Sequence, residues 1–415
     1  MLNLAALFIT LTALCMWFNQ RVLRLPPTIG VMATALAMSL MVIALDHVTV
    51  TTVFAQTAEA WLARIDFNVL LMDGMLSLLL FAGALHVDLS KLHHYRVSIG
   101  LLATLGVLVS TVVIGSAAWW LFQQMGMAVP YPFCLVFGAL ISPTDPIAVL
   151  GIMRNAGAPV DMEIRIVGES LFNDGVAVVV FTALLGVATT SGSEGIDIGH
   201  LGLLFIEEAG GGILLGLALG GLVYRLMNSI NQYQVEVMLS LALVVGGYAL
   251  AQALHLSGPI AMVVAGLIIG NMARSGAMSE STRRYLDAFW ELIDEILNAV
   301  LFVLIGLELV LMPLSIEVVG IALALVVVIL VSRFLIIGVP LRLLSSRHDF
   351  RAGTTRVLTW GGLRGGISVA LALSLPEGEI RNTLVVTTYV IVLFSILVQG
   401  LTIGRLVRHV LKAPR

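Results

Sequence analysis

The stretch VGESLFNDGVAVVVF, Val167 to Phe181, sets two carboxylates, Glu169 and Asp174, in an otherwise apolar run, with Asn173 beside the second. Upstream, ISPTDPIAV places Thr144 and Asp145 between Pro143 and Pro146. Downstream, Arg333 and the Arg364 of WGGLRGGIS are cations in equally apolar surroundings. Hard cations prefer oxygen ligands, and hydroxyls, carboxylates and freed carbonyls provide them. Loss of water disfavours an ionised carboxyl. An acid so placed can hold a proton or a small cation, but not readily both. Competition for one carboxylate, combined with access that alternates between two sides, is sufficient for obligatory exchange.

Such residues need a scaffold, and the composition says which kind. The chain has 415 residues, of which 59% are hydrophobic and 11% charged. A soluble domain carries about 25% charged residues, so this chain cannot cover a globular surface with polar groups. The sequence predicts an integral, all-α polytopic membrane protein. A net charge of −3 gives no reason to expect a nucleic-acid partner. Cys15 and Cys134 both fall in apolar runs and read as small buried hydrophobes. The amino-terminal run has no basic residue before it, which suits a retained first span better than a cleaved signal.

A span needs roughly 20 apolar residues, and that rule gives about 13 spans. They fall near residues 2–20, 25–45, 67–88, 98–124, 132–155, 162–190, 200–228, 234–254, 257–274, 285–312, 315–341, 353–375 and 382–411. Cytoplasmic loops are enriched in Lys and Arg. With the amino terminus outside and the carboxyl terminus cytoplasmic, most of the 22 basic residues fall on the inner side. Only Arg64 and Arg381 fall outside, and Arg333 and Arg364 sit within spans. A buried charge costs at least ~2.5–3.5 kcal/mol at a helix centre, so each needs a partner or a wet cavity.

Two spans are interrupted. Proline removes a backbone donor and frees carbonyls, which breaks span 5 at Pro143 and Pro146. Four glycines around Arg364 weaken span 12 and let other backbone approach. The breaks are seven spans apart, so they occupy matching positions if residues 1–190 and 234–412 are two inverted repeats linked by span 7, 200–228, within one domain of residues 1–415. Interrupted helices in corresponding positions point to a transporter's midplane site. Asp174 lies about 18 Å along span 6, close to the bilayer centre. Ser170 and Asp174 share one helix face, while Glu169 points roughly 140° away from Asp174. Glu169 and Arg333 lie at similar depths, ~10 and ~12 Å from the inner end, which suits an ion pair. Thr144, Ser170, Asp174 and carbonyls freed around Pro146 are then the oxygen set for a monovalent cation.

SPTDPIAV, GESLFNDGVAVVV and GLRGGISVALALSLP resemble the hallmark motifs of NhaP-type sodium/proton antiporters, in the monovalent cation:proton antiporter family that includes the animal sodium/proton exchangers. SGPIAMVVAGLIIGN and FWELIDEILNAVLFVLIGLEL are also similar, so the resemblance spans most of the chain. It implies a homodimer of 13-helix subunits with an inverted-repeat fold, in which the broken helices of spans 5 and 12 cross. It implies that Asp174 binds the ion and the proton, with Asn173 beside it. Thr144, Asp145 and Ser170 help form the Na+ site, Glu169 pairs with Arg333, and Arg364 is a structural or gating charge. Asn173, in place of a second Asp, points to one-for-one electroneutral exchange. An acid that some relatives carry in span 3 has no clear counterpart here: Asp88 is near the membrane edge and Asp73 toward the other side.

The expected function is secondary antiport of Na+, and of Li+, for H+ in a prokaryotic cytoplasmic membrane, without a cofactor. A K+/H+ antiporter with the same machinery is the alternative. An uncoupled cation channel is the lesser alternative, because the sequence lacks a potassium-filter motif such as TVGYG. A hydrolase would need a motif such as HExxH, which is absent. Glu291, Asp294 and Glu295 read as interface charges at the inner end of span 10, with an inner ion funnel as the alternative. His86, His93, His94 and His348 read as solvated loop residues near the same surface.

Overall fold

The computed structural model describes residues 2–49, 74–190, 198–272, 278–308, 315–344 and 353–412. Asp73, Arg64 and His348 lie outside them. Every described element is helical apart from turns and one isolated antiparallel bridge, Asp145 to Leu363. Eight helices are long and apolar enough to cross a membrane by length and composition. Three shorter apolar helices, Leu76–Leu85, Tyr131–Ile141 and Gly258–Met272, accompany them. Helix occurs among the described residues of each expected span, with breaks inside spans 5 and 12.

In chain order the helices are α1 (Leu2–Phe18), α2 (Pro27–Thr49), α3 (Leu76–Leu85), α4 (Leu89–Ala103), α5 (Leu105–Gln124), α6 (Tyr131–Ile141), α7 (Ile147–Asn155), α8 (Val160–Thr190) and α9 (Ile198–Met227). They continue as α10 (Tyr233–Ala253), α11 (Gly258–Ile268), α12 (Glu280–Glu308), α13 (Ile316–Leu344), α14 (Thr354–Trp360), α15 (Gly366–Leu373), α16 (Glu379–Phe394) and α17 (Gly400–Lys412). α8 begins with Asp161 and Glu163 in its first turn, where the positive end of the helix favours acids.

The main core is built where α6 packs on α5 and α8, α12 on α2, and α13 on α5 and α16. Phe137, Leu140, Phe302 and Tyr389 are fully buried in it. A second cluster around Trp290 and Phe81, whose rings lie 4.7 Å apart, joins α3, α10, α11 and α12. A third, around Val149, Val357, Ile403 and Val407, ties α7, α14 and α17 together. The first and third clusters include residues of the two interrupted helices, among them Phe137 and Val369 in the first and Val149 and Val357 in the third. Cys15 and Cys134 are buried free thiols, as small hydrophobes would be.

One expectation needs correction. His93 and His94 are not in a loop: they lie within α4, which starts at Leu89 rather than near residue 98. The segment is polar enough to pass for a connection, but it contains no proline and no glycine before Gly100. Asp88 also caps its start, accepting from the Ser90 amide at 3.0 Å.

Candidate ion-binding site

The site begins with the two breaks. α6 stops at Ile141 and α7 starts at Ile147; α14 stops at Trp360 and α15 starts at Gly366. Backbone groups freed inside a membrane must find partners in the protein, because lipid offers none. The breaks supply one another. The Asp145 amide donates to the Leu363 carbonyl at 2.8 Å. The Arg364 guanidinium donates to the carbonyls of Ser142 and Pro143, the latter at 2.8 Å, and the Arg364 amide donates to Ser395 Oγ at 2.8 Å. Arg364 is 2% exposed, so its charge is held by the oxygens of the opposite break.

This contact corrects part of the expected ligand set. The Ser142 and Pro143 carbonyls are engaged by Arg364, and the Pro146 carbonyl accepts from the amides of Val149 and Leu150. A buried guanidinium has five donors to satisfy, and it takes the acceptors that the prolines release.

Glycine is required where the segments touch. A Cβ on Gly365 would collide with the Asp145 carboxyl, and one on Gly362 would collide with the Arg333 guanidinium. The glycines of WGGLRGGIS therefore do more than weaken a helix. They let Asp145 and Arg333 reach the second break.

On α8, Glu169, Ser170 and Asn173 meet two partners, Arg333 and Thr144. Arg333 Nη1 lies 3.0 Å from Glu169 Oε1, and both side chains are almost fully buried. Arg333 Nε also donates to the Leu358 carbonyl at 3.3 Å. Ser170 Oγ is 2.9 Å from Thr144 Oγ1, and Asn173 Nδ2 donates to Thr144 Oγ1 at 3.0 Å. The Thr144 amide points back at Asn173 Oδ1 at 3.4 Å. Asp174 is 6% exposed, and its Oδ1 has no hydrogen-bond partner among the described residues. A buried carboxylate oxygen without a donor costs free energy unless a proton or cation satisfies it.

Asp174 opens into a cavity of about 100 Å³ that Thr144, Asp145, Asp294, Asn298 and Ser368 also line. One water needs roughly 10–15 Å³ of such space, so a cation fits with part of its hydration shell. Ser170 and Asn173 do not line this cavity; they hold Thr144 from behind. Arg364 is likewise set back, beside a small void shared with Arg333 and Gln399.

Three of the lining residues outside the expected site come from α12. Asp294, Asn298 and Leu301 of α12 are spaced four and three apart, which places them on one helix face, and that face meets the cavity. Asp294 is thus no interface charge, whereas Glu291 and Glu295 are exposed. Its Oδ1 is buried without a hydrogen-bond partner among the described residues. Ser368 stands in the first turn of α15, inside the quoted motif.

A family model described as "Sodium/hydrogen exchanger, transmembrane" matches residues 8–409. The chain belongs to the sodium/hydrogen exchanger family. Among relatives of this exchanger-family chain, the Na(+)/H(+) antiporter NhaP of Pseudomonas aeruginosa is 56% identical over 99% of this chain and 97% of that protein. The Na(+)/H(+) antiporter NhaH of Halobacillus dabanensis is 34% identical over 85% of this chain and 86% of its own. In fold, this family member resembles the sodium proton antiporter MjNhaP1 from Methanocaldococcus jannaschii at pH 8, with a TM-score of 0.75 at 18% identity over 98% of both chains.

Proposed function

We propose that this protein is a secondary active transporter that exchanges Na+ for H+ by alternating access. The observation that carries this reading is the unsatisfied Asp174 oxygen, which faces a cavity at the junction of two broken helices. Asp174 holds either the cation or the proton. Thr144 and Asp145 contribute oxygens from the first break, with Ser170 and Asn173 setting the Thr144 hydroxyl. Glu169 and Arg333 neutralise each other and pin α8 to α13. Arg364 holds the crossing together from behind the cavity.

Exchange is one-for-one and electroneutral, because one acid serves both guests. The broad exposure of apolar side chains such as Ile9, Trp17, Ile206 and Leu214 suits a lipid bilayer and a homodimer. The distribution of Lys and Arg supports a cytoplasmic membrane location with the amino terminus outside and the carboxyl terminus inside.

The test is purified protein in sealed vesicles carrying a pH-sensitive dye. Added Na+ or Li+ should drive proton movement that is unchanged when the membrane potential is clamped at different values. Proton movement that follows the potential, or that needs no added cation, would reject coupled electroneutral exchange.

A further inference from the structure

Away from the ion cavity, α13, α14 and α17 enclose a groove of about 580 Å³. Arg356, Arg405 and His409 line it, all three exposed, and no acidic side chain lines it among the described residues. None of the three makes an ion pair among the described residues. Arg405 and His409 are four apart on α17, and Arg356 and Trp360 are four apart on α14, so each pair shares a helix face. The remainder of the wall is mostly apolar, including Phe334 and Leu406. Trp360 spends its indole N–H on Thr402 at 2.8 Å and so presents only its ring.

The helix bearing two of these cations is itself divided. Ile403 and Val407 of α17 are buried in the third core cluster, while Arg405, Arg408 and His409 face outward. A soluble anion would use the cationic end alone and leave the aromatic wall unmatched. A phospholipid matches both ends. Guanidinium groups bind phosphate through paired donors, and basic pockets between membrane helices hold anionic headgroups.

We infer that this groove is a binding site for an anionic phospholipid, with the phosphate on Arg356 and Arg405 and an acyl chain along Phe334 and Leu406. His409 adds a third donor at the mouth. The site is separate from the exchange machinery and stands whether or not Na+ is the transported ion.

The experiment is native mass spectrometry of the delipidated full-length protein in detergent, titrated with phosphatidylglycerol, with phosphatidylcholine of the same chains, and with inorganic phosphate. Phosphatidylglycerol should be retained over phosphatidylcholine by on the order of ten-fold, because each basic residue at the surface favours an anionic headgroup. Arg356→Gln/Arg405→Gln should remove that preference, and Arg408→Gln, outside the groove, should keep it. Brominated phosphatidylglycerol should quench the emission that Trp360→Phe removes. Equal retention of both lipids by the unaltered protein overturns the site, whatever the folding of the variants. So does an equal loss in Arg408→Gln, and displacement of the lipid by millimolar phosphate would assign the groove to a soluble anion instead.

Discussion

The amide of Asp145 donates to the carbonyl of Leu363 at 2.8 Å, joining the breaks of two helices that are more than two hundred residues apart in the chain. Glycine makes this approach possible, since a Cβ on Gly365 would occupy the space of the Asp145 carboxyl. Gly365→Ala should therefore displace Asp145 and lower turnover in vesicles by at least about ten-fold, as expected when a positioning contact moves by ~1 Å. Gly100→Ala is the control: its Cβ meets nothing within 4 Å among the described residues, and helix propensity favours it by about 1 kcal/mol. Equal activity in the two variants would mean that the crossing tolerates the methyl.

Glu169 and Arg333 form a buried pair 3.0 Å apart. Removing one partner strands the other charge, at a cost of about 3–5 kcal/mol. Arg333→Ala should lower the thermal unfolding midpoint sharply, and Glu169→Ala/Arg333→Ala should recover part of the loss. Thermal unfolding of the four proteins in detergent completes the double-mutant cycle, and strict additivity would show that the pair is energetically uncoupled.

Asp294 shares the cavity with Asp174 but stands on a different helix. Asp294→Asn should raise the Na+ concentration for half-maximal exchange several-fold and leave maximal turnover largely intact, because it removes field from the cavity rather than the exchanging group. Concentration curves in vesicles read both quantities. Complete inactivity with normal folding would give Asp294 a direct share in the exchange step.

Competition at Asp174 also sets a sign for pH. Protonated Asp174 rejects the cation, so activity falls on the acid side. More Na+ should push that limit to lower pH, by about one unit per ten-fold rise in concentration if cation and proton exclude each other one for one. Vesicle rates over a grid of pH and Na+ measure the displacement. An acid limit that stays put as Na+ rises would contradict shared occupancy.

The breaks were legible in sequence because proline and glycine punctuate helices so strongly: Pro143 with Pro146, and the glycines around Arg364, mark both interruptions to within a few residues. Depth counting placed Glu169 and Arg333 within reach because both lie on long, regular helices, α8 and α13. What side chains do across helices was less visible. Arg364 takes the carbonyls of Ser142 and Pro143, a contact that depends on how the two breaks cross and not on either motif alone. Asp294 was hidden by its neighbours, since Glu291 and Glu295 make its turn read as surface, although its spacing to Asn298 and Leu301 already assigned all three to one face. His93 and His94 were misplaced because polarity near a membrane edge resembles a loop, and interfacial helices are polar too.

The central claim is that the Asp174 carboxylate is occupied by a cation or a proton in turn. Calorimetry of Na+ binding to the purified protein, repeated in buffers of different ionisation enthalpy, counts the protons released. In buffer near the acid limit, about one proton should leave for each Na+ bound, and Asp174→Asn should release none. Na+ binding with no proton released there, or the same release from Asp174→Asn, would contradict it.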